Sequence, residues 1–244
     1  MLEEFRLLVS EGYKQFMFVD DSFTVHQKRV IEFCQRIRKE KMDIEWFFEG
    51  RVDRCSYHML RHAVKAGCRI IFFGVESANQ KVLDYYNKRI TPEQSEQAVK
   101  NARKAGIDVV SGSFIVGAPN ETKREIENTL KFAQTLGLDI PQFNILAAFP
   151  GTDIWRELAV KGILSEDQYW ETGAVVSEIS PDTVPYEEVE RIIQEYFRNF
   201  FTRPAYLFTQ LIRLLKSSYR SSVVLHNLSR VNSVSESFHH IFGY

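Results

Sequence analysis

At 244 residues the chain is long enough for one large domain, or for a domain that carries an extension. With 44% hydrophobic and 26% charged residues it reads as globular, and a net charge of −1 offers no global basic field for nucleic acid. No apolar run approaches the ~18 residues of a membrane span, the start MLEEFRLLVSEGYKQ lacks the basic and apolar regions of a signal peptide, and three widely spaced cysteines, Cys34, Cys55 and Cys68, suit reduced thiols of a cytoplasmic protein rather than a disulfide frame.

One pattern recurs along the chain. A short β-rich apolar run is followed by a turn and then by a segment of helical period. The runs are QFMFV (15–19), IEWFF (44–48), RIIFFGV (69–75), VVSGSFIVG (109–117) and QFNILAA (142–148). Each is nearly continuous in Ile, Val and Phe, which predicts strands buried on both faces. The helices between them have marked starts. Thr24-Val-His-Gln27, Thr91-Pro-Glu-Gln94 and Thr122-Lys-Arg-Glu125 read as capping boxes, the second with proline at the first helical position. Val30, Phe33, Cys34 and Ile37 share one helical face. Gly67 and Gly106 stand where helices should stop. Five βα units in series predict an α/β fold with a parallel sheet, either a barrel or a doubly wound sheet.

Parallel α/β folds bind ligands at the carboxyl ends of their strands. Asp20, Asp21 and Ser22 follow the first run, and Glu49, Gly50, Arg51, Val52 and Asp53 the second. Gly74, Glu76 and Ser77 end the third, Gly117-Ala118-Pro119-Asn120-Glu121 follows the fourth, and Pro150-Gly151-Thr152 the fifth. Ser22, Asn120 and Thr152 are what any βα turn needs. Glu49, Arg51 and Glu76 are harder to explain as turns. A carboxylate at the end of a buried strand costs free energy unless something pairs with it, so Glu76 calls for a partner from the protein or from a ligand. Charges of both signs on one rim predict a polar, zwitterionic ligand, with an acid for its ammonium and Arg51 for its carboxylate.

The segments VDDSFT, FEGRVD, AGCRIIFFGVESANQKVLDYYNK, FIVGAPNET and FPGTDIW, over about residues 1–165, resemble the radical S-adenosylmethionine (SAM) superfamily, most closely the branch that often carries a cobalamin-binding domain. The resemblance implies a partial (β/α)6 TIM-like barrel over 1–180, with about five of six βα units, and a C-terminal helical extension with a serine-rich tail over 181–244. It implies S-adenosylmethionine across the strand ends, beside a [4Fe-4S] cluster, with cobalamin as a candidate second cofactor of the full-length parent. Asp20 and Asp21 match positions that hold the methionyl ammonium in relatives. Glu49 and Arg51 match groups toward the carboxylate or ribose. Gly74 and Glu76, with Ser77 beside them, match a Gly-x-Glu at the cofactor. Val116, Gly117 and Ala118 match backbone lying against the adenine.

The family holds its cluster with Cys-x3-Cys-x2-Cys, and iron–sulfur chemistry needs such clustered thiolates. This chain has no such triplet, and its three cysteines read as small buried hydrophobes. The expectation is a fragment, cut by truncation, by a cloning boundary or by a split gene, with an open edge where a first strand belongs. Such a chain is expected to be inactive alone. One alternative is a non-catalytic barrel remnant that binds a ligand or acts as a scaffold. Another is a metal-dependent lyase or hydrolase built on Asp20, Glu49 and Glu76. Cys55, His58 and His62 have metal-ligand spacing on one helix, yet read more simply as a polar flank. Beyond residue 180 the amphipathic segment TVPYEEVERIIQEYFRNFF, with Val189, Ile192, Ile193, Tyr196, Phe197 and Phe200 on one stripe, ends at Pro204. AYLFTQLIRLLKSSYR follows it. Packing on the barrel is the favoured expectation for both, and contact with a membrane surface the alternative. From Ser217 the chain is expected to be loosely ordered.

Overall fold

The computed structural model describes residues 2–20, 23–119, 121–172 and 184–228. Helix α1 (Leu2–Ser10) leads into strand β1 (Gln15–Phe18), helix α2 (Gln27–Lys39) and strand β2 (Glu45–Arg51). A 3-10 turn (Val52–Arg54) and helix α3 (Tyr57–Lys65) connect to strand β3 (Cys68–Glu76). Helices α4 (Gln80–Tyr85) and α5 (Pro92–Ala105) precede strand β4 (Val109–Val116), and α6 (Lys123–Thr135) precedes strand β5 (Ile140–Ile145). Helices α7 (Asp153–Val160), α8 (Glu166–Thr172), α9 (Tyr186–Thr202), α10 (Pro204–Lys216) and α11 (Ser218–Leu228) follow.

All five strands are parallel and lie in chain order, β1-β2-β3-β4-β5. Chain order without a switch point excludes the doubly wound alternative and agrees with the partial TIM-like barrel that the family resemblance implies. Among the described residues β1 pairs only with β2 and β5 only with β4, so the sheet has two open edges. Alternation along each strand separates two faces. The helix-side face is apolar and packed. Trp46 and Phe48 of β2 pack edge-on or tilted against each other and against Phe18, Phe23 and Phe33 at centroid distances of 5.2–5.9 Å, and the buried indole Nε1 donates to Ala66 O at 2.9 Å. Such aromatic pairs add to the area they bury. On the other face stand Met17, Glu49, Gln142 and Asn144, all exposed. One sheet therefore presents a dry, helix-covered side and a wetter one.

The local signals explain most boundaries. Thr91 and Thr122 cap α5 and α6 with complete capping boxes, closed by Gln94 and Glu125. The box expected at Thr24 does not form. Helix α2 starts at Gln27 with His26 before it, while Thr24 is buried and its hydroxyl is turned toward the Cys55 thiol. Gly67 is required by both φ and space, because at φ +96° a Cβ would come within 1.9 Å of Ile44 O. Asp139, buried just ahead of β5, accepts from Val110 N at 2.8 Å and from Arg103 Nη2 at 2.7 Å.

The chain divides into two compact units, one ending at Phe200 and one from Phe201 onward. The boundary lies later than residue 180 because α9 belongs to the barrel unit. Its Val189, Ile193, Tyr196 and Phe200 are buried, and Phe143 of β5 meets Tyr196 at 4.9 Å and Phe197 at 5.8 Å. The serine-rich stretch after Ser217 begins with helix α11. His239 and His240 lie outside the described residues. Among the described residues no helix is long and apolar enough to cross a membrane.

Candidate functional site

Strands β2 and β3 run further than their apolar cores suggest, so Glu49, Arg51 and Glu76 are strand residues like Gly74 rather than loop residues. Their carboxyl ends open onto a cavity of about 210 Å³ lined by Glu49, Arg51, Phe72, Gly74, Glu76 and Lys88, with Ser113 and Gln142 from the next two strands. Lys88 lies in the segment between α4 and α5.

Glu76 is the most constrained residue of this rim. The ladder to β4 shifts register between Gly74 and Glu76. Glu76 has φ +68°, and Ser77 N donates to Val75 O at 3.0 Å. These mark a γ-turn centred on Glu76 with positive φ, a rare and strained form. Glu76 is buried, and Lys88 Nζ pairs with its Oε1 at 2.6 Å. The partner that a buried carboxylate demands is thus supplied by the protein. Gly74 makes room for this arrangement, since a Cβ there would stand 2.7 Å from Glu76 Oε1.

Arg51 is equally committed. Its Nε donates to Asp53 Oδ1 at 3.0 Å, and its Nη2 donates to Lys88 O at 3.0 Å and to Asp53 Oδ2 at 3.4 Å. The guanidinium bridges the end of β2 to the segment that carries Lys88. The rim therefore holds two acids, Glu49 and Glu76, and two cations, each cation already engaged by a neighbour within the chain.

The remaining expected positions fall elsewhere. Asp20 is exposed beyond the end of β1 and does not line the cavity, and Asp21 lies outside the described residues. Ser77 is fully buried, its Oγ 3.1 Å from Thr129 Oγ1 and accepting from Asn79 N at 3.1 Å. It holds the turn rather than facing the cavity. Val116, Gly117 and Ala118 are buried. Val116 O accepts from Leu146 N at 2.7 Å, and the amides of Gly117 and Ala118 donate to Glu121 Oε2 at 2.7 and 3.1 Å. Burial pushes the Glu121 carboxyl up to about 7 against those two hydrogen bonds.

Lys88, Ser113 and Gln142 were not singled out as site residues, whereas Asp53 was named beside Arg51 at the end of the second run. Lys88 stood inside the quoted segment, and only the fold brings it back onto Glu76. Among the described residues no three His, Cys, Asp or Glu side chains gather in a metal-binding group, so Asp20, Glu49 and Glu76 do not converge. Nor does the Cys55, His58 and His62 set. The two imidazoles pair at 4.9 Å, whereas Cys55 precedes α3 and is buried against the end of β2, where a Cβ on Gly50 would stand 2.9 Å from its Sγ. Cys34 and Cys68 are buried as well. Desolvation pushes the Cys34 and Cys55 thiols up to about 12 and Cys68 well above its usual value, which disfavours the thiolate that iron needs.

Residues 1–133 match the profile of the Radical SAM superfamily. The chain belongs to this superfamily. It is 35% identical over 209 residues to an uncharacterized methyltransferase of Pyrococcus horikoshii, covering 85% of this chain and 45% of that protein. It is 30% identical to the anaerobic magnesium-protoporphyrin IX monomethyl ester cyclase of Rubrivivax gelatinosus, over 85% of this chain and 37% of the cyclase. It thus spans less than half the length of these two relatives. Among solved structures, the radical S-adenosylmethionine methyltransferase TsrM from Kitasatospora setae, with cobalamin and a [4Fe-4S] cluster bound, superposes with a TM-score of 0.59 at 18% identity, over 66% of this chain and 31% of that one. Coproporphyrinogen III oxidase (HemN) of Escherichia coli, a radical SAM enzyme, gives 0.56 at 19% over 78% and 40%. At such identities these two attest the shared barrel fold.

Proposed function

We propose that the rim cavity binds S-adenosylmethionine, and that the chain is the cofactor-holding part of a cobalamin-associated radical SAM enzyme of the methyltransferase and cyclase kind. The observation that carries this reading is Glu76, held in a strained turn at the mouth of a cavity with charges of both signs. Backbone strain of order 1–3 kcal/mol persists where the surrounding structure enforces it, typically at binding sites. The cofactor is a zwitterion with an added sulfonium, which suits such a lining. Glu49 and Glu76 are positioned to take its ammonium or ribose hydroxyls. Arg51, braced by Asp53, offers its charge to the carboxylate, and Phe72 and the bare backbone at Gly74 supply a surface for close approach. Asp20 and Asp21 are assigned to the ammonium side by family resemblance, and Val116 to Ala118 to the adenine edge. The amides of Gly117 and Ala118 are spent on Glu121, and the carbonyls of Val116 and Ala118 accept from Leu146 N and Glu121 N, so this segment offers a base mainly apolar surface. Bound S-adenosylmethionine supplies the methyl group or the 5′-deoxyadenosyl group of the reaction.

The [4Fe-4S] cluster of the family does not fit the cysteines present. All three are buried, with thiol pKa values pushed upward, and no Cys-x3-Cys-x2-Cys occurs in the 244 residues. This favours a second reading in which these residues bind the cofactor without cleaving it. Two experiments separate the readings. In equilibrium dialysis, S-adenosylmethionine is expected to bind, with Glu76→Gln weakening it about tenfold, or about 1.4 kcal/mol, while circular dichroism is unchanged. No binding at millimolar ligand, or binding indifferent to both Glu76→Gln and Glu49→Gln, rejects the site. Under anaerobic reconstitution with iron, sulfide and dithionite the chain is expected to yield no 5′-deoxyadenosine above a protein-free control. A clear yield rejects the binding-only reading.

A further inference from the structure

The unit from Phe201 onward has no core among its described residues. None of residues 201–225 is buried, although the sequence there is strongly apolar. At 100° per residue, Leu207, Leu211, Leu215 and Phe208 fall within one arc of about 100° on α10. They are 54%, 53%, 77% and 65% exposed. On α11 Val223, Val224 and Leu225 are exposed as well. The two helices are tied by side-chain hydrogen bonds. Arg220 Nη1 donates to Gln210 Oε1 at 2.7 Å, and Ser221 Oγ donates to Leu214 O at 2.8 Å.

The charge of this segment is one-sided. Between Phe201 and Leu228 stand Arg203, Arg213, Lys216 and Arg220, and there is no Asp or Glu. Helix α9, immediately before it, carries Glu187, Glu188, Glu190 and Glu195. The α10–α11 hairpin thus combines an exposed apolar arc with a basic composition. A helix with one apolar face and a basic polar face suits a surface that is apolar inside and anionic outside. Neither helix is long and apolar enough to cross a membrane.

We propose that the α10–α11 hairpin is an interfacial anchor that lays Leu207, Phe208, Leu211 and Leu215 into the headgroup boundary of an anionic lipid bilayer, with Arg213 and Lys216 on the polar face that stays among the headgroups. The inference is independent of the rim cavity. The test is flotation of the full chain with vesicles of phosphatidylcholine alone or with phosphatidylglycerol added. The expected result is partition onto the anionic vesicles that is lost in about 0.5 M salt, where the Debye length shrinks to a few ångströms. The double variant Leu211→Glu, Leu215→Glu is expected to lower partition at least about tenfold, by removing apolar burial and adding repulsion. Arg213→Ala and Lys216→Ala are each expected to lower it about fivefold. Because these side chains are exposed or half-buried and outside the barrel, the Tm is expected to hold in all of them, so lost partition is not lost folding. Absence of flotation, flotation equal with and without anionic lipid, or flotation unchanged in the variants overturns the proposal. So does a vesicle-independent oligomer that Leu211→Glu dissolves, which assigns the arc to a second copy.

Discussion

Helices α9 and α10 follow one another in the chain and share one design, an apolar stripe along a polar helix, but only α9 is covered. Its stripe meets Phe143 and is buried, and its acids lie on the other side. The stripe of α10 is exposed and its charges are all positive. The same contrast holds for the two units. In the barrel unit buried charge is answered from within, Glu76 by Lys88, Asp139 by Arg103 and Glu121 by two backbone amides. The hairpin leaves its apolar face unanswered. Amphipathicity sets which face of a helix seeks cover, and the charge beside that face says what kind of cover it suits.

The largest expected effect comes from a matched pair of substitutions. Ile193→Glu puts an unpaired carboxylate into the α9 contact and should cost about 4 kcal/mol or more. Leu211→Glu on α10 should change stability by no more than about 0.5 kcal/mol. Urea unfolding of both measures the difference, and equal losses would break the contrast. Next in size is Glu121. Its carboxyl titrates near 7 in the folded chain, against about 4.3 when unfolded. Above the lower value the unfolded chain releases a proton that the folded chain keeps, so stability falls as pH rises across that window. Glu121→Gln should flatten this fall, by about 3 kcal/mol at the upper limit, as read from urea midpoints between pH 4.5 and 7.5.

Glu76→Gly is the third. It relieves a positive φ but loses the pair with Lys88, so stability should stay within about 1 kcal/mol of the parent while S-adenosylmethionine binding falls. Calorimetry and dialysis on one preparation test both parts, and unchanged binding would take Glu76 out of the site. The smallest effect is expected from Arg213→Ala, about 0.5 kcal/mol or less in stability. A larger drop in Tm would show that the hairpin cations serve the fold.

Much of the barrel was legible because its signals are local. Continuous apolar runs marked all five strands, and the capping boxes at Thr91 and Thr122 need only neighbours in sequence. Thr24 misled because its environment is tertiary, a buried site beside Cys55. At the rim, the rule that ligands gather at strand ends picked out Glu49, Arg51, Gly74 and Glu76, all of which line one cavity. Pattern could not reveal that Lys88 folds back twelve positions to pair with Glu76, or that Glu121 consumes the amides of Gly117 and Ala118. Those pairings depend on how loops return, and neither loop has a period to read.

Gly74 and Glu76 have a consequence for anyone who redesigns this barrel. A single carbon added at position 74 would crowd the carboxylate two residues on, so the location of the rim's charge is set by an atom that is missing. The two positions behave as one letter of the code. A library that randomises them separately will sample mostly displaced acids, whereas one that varies them together keeps the charge where the strand aims it.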